Sequence, residues 1–201
     1  MAAQGLSGFY GSVFKRSTTA AALIRNAEGS VLLLRSGSGS GSDPGGWDLP
    51  GGVVLGGEDP RSAARRIVAG TLGLELGVGR VLVLDYVQAG GQPGPGPGAA
   101  RSGSQGDSIA FVFDGGVLAT TVAGFTAGGG EREARFFPVP DCAGLLDGAS
   151  APRTAGALEA LDLGTVAELM DGRITVGEPA APPPTRRMMP PVAGFSGILG
   201  R

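Results

Sequence analysis

Residues 47–74, WDLPGGVVLGGEDPRSAARRIVAGTLGL, carry a full set of stop and start signals in one run: strand end, glycine turn, loop, helix, helix stop. The Pro50-Gly51-Gly52 turn ends a strand and lets other groups approach the backbone closely. Val53 and Val54 resume an extended path, which Gly56-Gly57 break. Pro60 suits the first turn of a helix, with Asp59 as its N-cap. Ala64, Val68 and Leu72 recur every four residues, so the helix buries one stripe. Gly73 is placed to stop that helix, and Leu74 restarts an apolar segment.

The same run resembles the Nudix box. That family's pattern is Gly, five residues, Glu, seven residues, Arg-Glu, an aliphatic, one residue, Glu-Glu, one residue, Gly and an aliphatic. With Gly52 as its first residue, Glu58 falls on the first glutamate and Arg66 on the arginine. Val68 falls on the aliphatic, and Gly73 and Leu74 on the closing pair. The resemblance implies that Glu58 and Arg66 pair to fix the loop against the helix. It also implies that the Gly51-Gly52 turn shapes a pocket.

Three positions depart from the pattern. The family's helix glutamates map onto Ile67, Gly70 and Thr71, which at i, i+3 and i+4 share one helix face. In the family that face holds Mg²⁺ or Mn²⁺, which neutralises a pyrophosphate and helps activate water. Isoleucine and glycine offer no side-chain oxygen, and a threonine hydroxyl is a poor ligand for a hard cation. No acidic residue lies between Asp59 and Glu75, so a shifted alignment does not rescue the site. Ile67 reads either as a core residue or as an apolar pocket wall. Gly70 costs the helix on the order of 1 kcal/mol relative to alanine, and suits either a helix free of ligand duty or a new close contact.

Around this run, residues 18–25 and 30–35 read as a strand pair with a turn at 26–29, and that hairpin also resembles the Nudix opening. Residues 36–46, SGSGSGSDPGG, are a loop; they lack the Gly-Lys-Ser/Thr of a phosphate-binding loop. Residues 80–87 form an apolar strand, and 89–106 are Gly-Pro-Ser rich with too little to bury. Residues 107–114 give the next strand, ending in a Gly115-Gly116 turn with 117–122 as its partner. Residues 131–139 resemble the family's short acidic-to-aromatic strand, where a glutamate sometimes completes the metal site or acts as base; Glu131 and Glu133 are the candidates. Residues 154–170 have helical spacing, bent at Gly164, with Leu158, Leu161, Val166 and Leu169 on one face. Residues 178–201 are proline-rich, a tail or a docking peptide.

Composition excludes several alternatives. Net charge is −2 and only 17% of residues are charged, so there is no basic surplus for nucleic acid. The chain has no histidine, which removes a Ser-His-Asp triad and imidazole metal ligands. Cys142, the single cysteine, lies in a loop by this reading; it can form no internal disulfide and has no histidine to activate it. No apolar run of about 18 residues suggests a membrane span. The opening residues lack the charged-then-apolar order of a signal peptide, which makes the cytoplasm the expected compartment.

The expected architecture is an α/β/α Nudix sandwich with a mixed sheet over 15–177, preceded by a lead at 1–14 and followed by the tail at 178–201. Helix 60–72 should lie on one side and helix 154–170 on the other. Three functions are open. The first is a Nudix-like protein impaired in or without metal-dependent hydrolysis, binding a nucleoside diphosphate derivative or a protein partner. The second is an active pyrophosphohydrolase using Mg²⁺ or Mn²⁺ with Glu131 or Glu133 in an altered site. The third is a scaffold or regulator working through its tail. The resemblance also leaves a homodimer open.

Overall fold

A computed structural model describes residues 16–35, 46–88, 107–119, 133–146 and 148–175. The lead at 1–14, the loops 36–45 and 89–106, Glu131 and the tail at 178–201 lie outside the described residues.

Strand β1 (Ser17–Arg25) turns through Gly29 into β2 (Val31–Arg35). Short strands β3 (Trp47–Asp48) and β4 (Gly51–Val53) lead to helix α1 (Pro60–Leu72). Then come β5 (Val81–Val87), β6 (Ser108–Val117), β7 (Ala134–Phe137), α2 (Val139–Leu145), α3 (Ser150–Leu163), β8 (Ala167–Met170) and β9 (Arg173–Ile174). The described strands form one mixed sheet in the order β3-β2-β1-β6-β5-β8-β9, with β4 on β1 and β7 on β2. β1 runs parallel to β6, and β5 parallel to β8.

Strand alternation decides which helix covers which face. Ala22 and Ile24 of β1, with Leu32 and Leu34 of β2, pack with Val68 and Leu72 of α1. Their neighbours Leu23, Val31 and Leu33 pack with Ala157 and Ala160 of α3. The sheet is therefore covered on both faces, and the expected α/β/α sandwich is present. No described helix is long and apolar enough to cross a membrane.

Four local expectations need correction. The helix read at 154–170 spans 150–163. Gly164 takes a left-handed conformation (φ 71°) and its N–H bonds to the Ala160 carbonyl, as does that of Thr165 at 2.9 Å, so the glycine stops the helix instead of bending it. Leu169 is buried on β8, and Val166 is exposed. The Gly115-Gly116 pair is not a hairpin turn: β6 runs through it to Val117, with a register shift against β1 between Leu23 and Arg25. A Cβ on Gly115 would stand 2.6 Å from Ile24 Cγ1, and Gly116 has φ 74°, so only glycines fit this bulge. Of the strand partner expected at 117–122, Val117 is the last residue of β6, 118–119 are not strand, and 120–122 lie outside the described residues. Gly51 and Gly52 open β4 instead of forming a free turn, because they pair with Ala21 and Ala20 of β1. Cys142 sits on α2 and not in a loop; it is buried, and its thiol pKa is pushed up by burial and by the neighbouring Asp141 charge.

Candidate functional site

The glycine run is held against β1 by close contact. The Ala22 N–H donates to the Pro50 carbonyl at 2.9 Å. A Cβ on Gly51 would stand 2.7 Å from Ala21 Cβ and 3.0 Å from the Ala20 carbonyl oxygen. A side chain there would push β4 off β1. Upstream, Trp47 is buried edge-on to Phe137 at 4.7 Å.

Glu58 and Arg66 close the loop that follows. Arg66 Nε donates to Glu58 Oε1 and Nη2 to Oε2, both at 2.8 Å. Arg66 Nη2 also reaches the Val53 carbonyl at 3.1 Å, and the Leu55 N–H donates to Glu58 Oε2 at 3.1 Å. This fork ties strand, loop and helix together. The Arg66 guanidinium, and then the Leu55 N–H, hold the Glu58 carboxyl below its ordinary pKa; Glu58 in turn raises that of Arg66. Asp59 caps α1 by accepting from the N–H groups of Arg61 and Ser62, each at 3.0 Å. These bonds and the Ser62 hydroxyl at 2.6 Å hold the Asp59 carboxyl below its usual range, the Ser62 hydroxyl contributing most. At the far end Gly73, with φ 66°, caps the helix through its N–H to Ala69 O at 2.9 Å.

The helix face that would carry metal ligands is not built for one. Ile67 is half-buried and its Cδ1 lies 3.3 Å from where a Gly52 Cβ would be, so it walls the glycine run. Thr71 is buried within the packed side of α1. Gly70 is exposed, with nothing within 4 Å of a Cβ there, which removes the close-contact reading of that glycine. Among the described residues no group of three or more Asp, Glu, Cys or His could hold a metal. The donor set therefore does not fit Mg²⁺ or Mn²⁺. Glu133 lies just before β7, where Arg35 Nη1 donates to its Oε2 at 3.3 Å and Arg135 Nη2 to its Oε1 at 2.5 Å.

A hollow of about 200 Å³ opens between the sheet and the first turn of α3. Its sheet side is lined by Thr19 and Ala21 of β1, Gly51 of β4, and Ala110, Phe111 and Val112 of β6. Ser150 and Arg153 of α3 border it on one side, Asp48 and Leu49 on another. Arg153 Nε donates to Asp85 Oδ2 at 2.7 Å, and the Gly172 N–H donates to Asp85 Oδ1 at 3.2 Å. Asp85 is fully buried, while the Arg153 side chain keeps 19% of its surface exposed.

Sequence reasoning missed this pair. A signal was present: Asp85 is a charge inside RVLVLDYV, and a buried carboxylate needs a partner. Nothing in the sequence pointed to Arg153 as that partner, because 68 residues separate them and only the α3–β5 packing brings them together.

The sequence profile of the NUDIX domain matches residues 15–158. Solved structures share the fold. The MutT protein from Methanosarcina mazei Go1 is 24% identical, with a TM-score of 0.54 over 76% of this chain and 99% of that one. The NUDIX domain of Shewanella oneidensis NrtR, solved in complex with ADP ribose, is 15% identical, with a TM-score of 0.56 over 80% of this chain and 99% of that one. A UDP-X diphosphatase is 15% identical, with a TM-score of 0.56 over 84% of this chain and 75% of that one. No curated protein sequence matches the chain.

Proposed function

The chain belongs to the Nudix family, and from that premise we infer that it keeps the family scaffold, has lost metal-dependent hydrolysis, and binds a nucleoside diphosphate derivative in the hollow beside Gly51. The observation that carries this reading is the joint replacement of three carboxylates by Ile67, Gly70 and Thr71 on a helix whose other fixtures stand. Gly51, Gly52, Glu58, Arg66 and Gly73 are its scaffold residues. Decay without selection would be expected to erode the Glu58–Arg66 fork and the glycine contacts as readily as the ligand face. The ligand class is suggested by the ADP ribose bound to the Shewanella oneidensis domain.

The rival reading, an active site rebuilt on Glu131 or Glu133, is weakened at Glu133 by the two guanidinium groups that occupy both oxygens of that carboxylate. The reading is tested by phosphate and nucleotide release from nucleoside diphosphate derivatives and nucleotide sugars, with Mg²⁺ and then Mn²⁺. The natural chain should release nothing above background, while Ile67→Glu, Gly70→Glu and Thr71→Glu combined should turn substrate over. Metal-dependent turnover by the natural chain would refute it.

A further inference from the structure

We propose that residues 6–14 of the lead dock on this chain's own sheet, over the open part of the α1-side face at β5, β6 and β8, through Leu6, Phe9, Tyr10, Val13 and Phe14. Such docking does not depend on nucleotide binding.

The open face follows from strand alternation. Val83 and Leu169 pack with Ala157 and Ala160 of α3, and Asp85 reaches Arg153 on the same side. Leu84 and Tyr86 of β5 therefore point the other way, as do their β8 neighbours Glu168 and Met170. Phe111 and Ile109 of β6 pair with Leu84 and Tyr86 and share that face. There α1 packs chiefly on β1, β4 and β6, while α3 packs on β5 and β8 from the opposite side. Tyr86 and Met170 accordingly keep 39% and 43% of their surface exposed, and Leu84, Ile109 and Phe111 are only half-buried. Apolar residues scattered singly are normal on a surface, but five in adjoining register positions mark a contact site.

The sequence supplies an occupant next to this patch. Leu6, Phe9, Tyr10, Val13 and Phe14 recur at i, i+3, i+4, i+7 and i+8, the spacing of one helical stripe, with Ser7, Gly8, Gly11 and Ser12 between them. The lead joins the described fold at Arg16, whose guanidinium pairs with Asp107 at 3.5 Å. Arg16, Ser108, Tyr86 and Met170 border a second hollow, of about 280 Å³, at this end of the patch. In helical form residues 6–14 span about 13 Å, and β6 to β8 measures about 10 Å, so the stripe matches the patch in length. Gly8 and Gly11 make the segment too weak to hold as a helix alone, and burial of its aromatic side chains would stabilise it. Tether length decides among occupants. Phe14 lies beside Arg16, whereas the tail's Phe195, Ile198 and Leu199 stand far beyond Thr175, and a longer loop costs more entropy to close. A second copy acts only at its solution concentration, but a short tether gives an effective concentration on the order of millimolar.

The test is maleimide labelling of the full chain carrying Met170→Cys, at micromolar protein. Cys142 is buried, so its background is low. The new thiol should react slowly, and Phe9→Ser, Tyr10→Ser and Phe14→Ser combined should speed it about tenfold or more. The rate should change neither with protein concentration nor with Phe195→Ser, Ile198→Ser and Leu199→Ser combined. Equal rates with and without the lead substitutions would overturn the proposal. Protection that disappears on dilution would overturn it in favour of a second copy, and protection lost only with the tail substitutions would overturn it in favour of the tail. Should the lead variant not fold, a nitroxide attached at Ser12→Cys decides alone. It should broaden the amide resonances of Tyr86 and Met170 more than those of Ala157 and Ala160 on the opposite side, and equal or absent broadening would overturn the docking.

Discussion

At the scale of single residues, the Asp85–Arg153 pair carries the largest expected effect. Arg153→Ala leaves a fully buried carboxylate without its cation, and should destabilise the protein by about 3–5 kcal/mol in denaturant melts. Removing both charges together, as Asp85→Leu with Arg153→Met, should cost much less. Thr154, the next residue, buries a hydroxyl that has no hydrogen-bond partner among the described residues. Thr154→Val should therefore stabilise by about 1 kcal/mol, read by the same melts. Glu58 gives a pH prediction. Its folded pKa lies below the ordinary 4.5, so its contribution is present above the unfolded value and is lost as pH falls through the folded one. Melts of Glu58→Gln should accordingly differ from the natural chain at pH 7 and converge with it in acid below the lowered pKa. A constant gap down to pH 2 would show that the Arg66 fork is not its source.

At the scale of elements, α1 shows how local signals become a fixed structure. Its N-cap, first-turn proline, four-residue stripe and terminal glycine were all legible, since each acts within one or two turns of chain. Gly70 is the exception to good helix design: it is exposed, and a Cβ there meets nothing. Gly70→Ala should raise stability by about 1 kcal/mol, whereas Gly51→Ala should cost about 1–3 kcal/mol, because its Cβ would collide with Ala21. The misread elements share a cause. Gly164 looked like a kink because Val166 and Leu169 continue the helical spacing, yet Leu169 is buried by pairing beside β5, a contact no local pattern encodes. Gly115 and Gly116 looked like a turn because glycine pairs usually make one, but here the neighbouring Ile24 forbids a side chain. Short helix α2 gave no periodic signal in its seven residues and passed as a loop around Cys142.

At the scale of the whole molecule, the family was legible from the spacing of the Nudix box, and the sandwich from the resemblance that box carries. The hollow was not, because its borders come from strands and a helix far apart in sequence, β1, β4, β6 and the first turn of α3. The protein keeps the features that build the family's fold and lacks the carboxylates that would charge it with metal. Those two statements separate cleanly in a manganese titration followed by the paramagnetic resonance of free Mn²⁺. The natural chain should leave the free-ion signal unchanged at millimolar metal, and the Ile67→Glu, Gly70→Glu, Thr71→Glu variant should deplete it. Stoichiometric depletion by the natural chain would contradict the account, since it would require a metal site that the box helix does not supply.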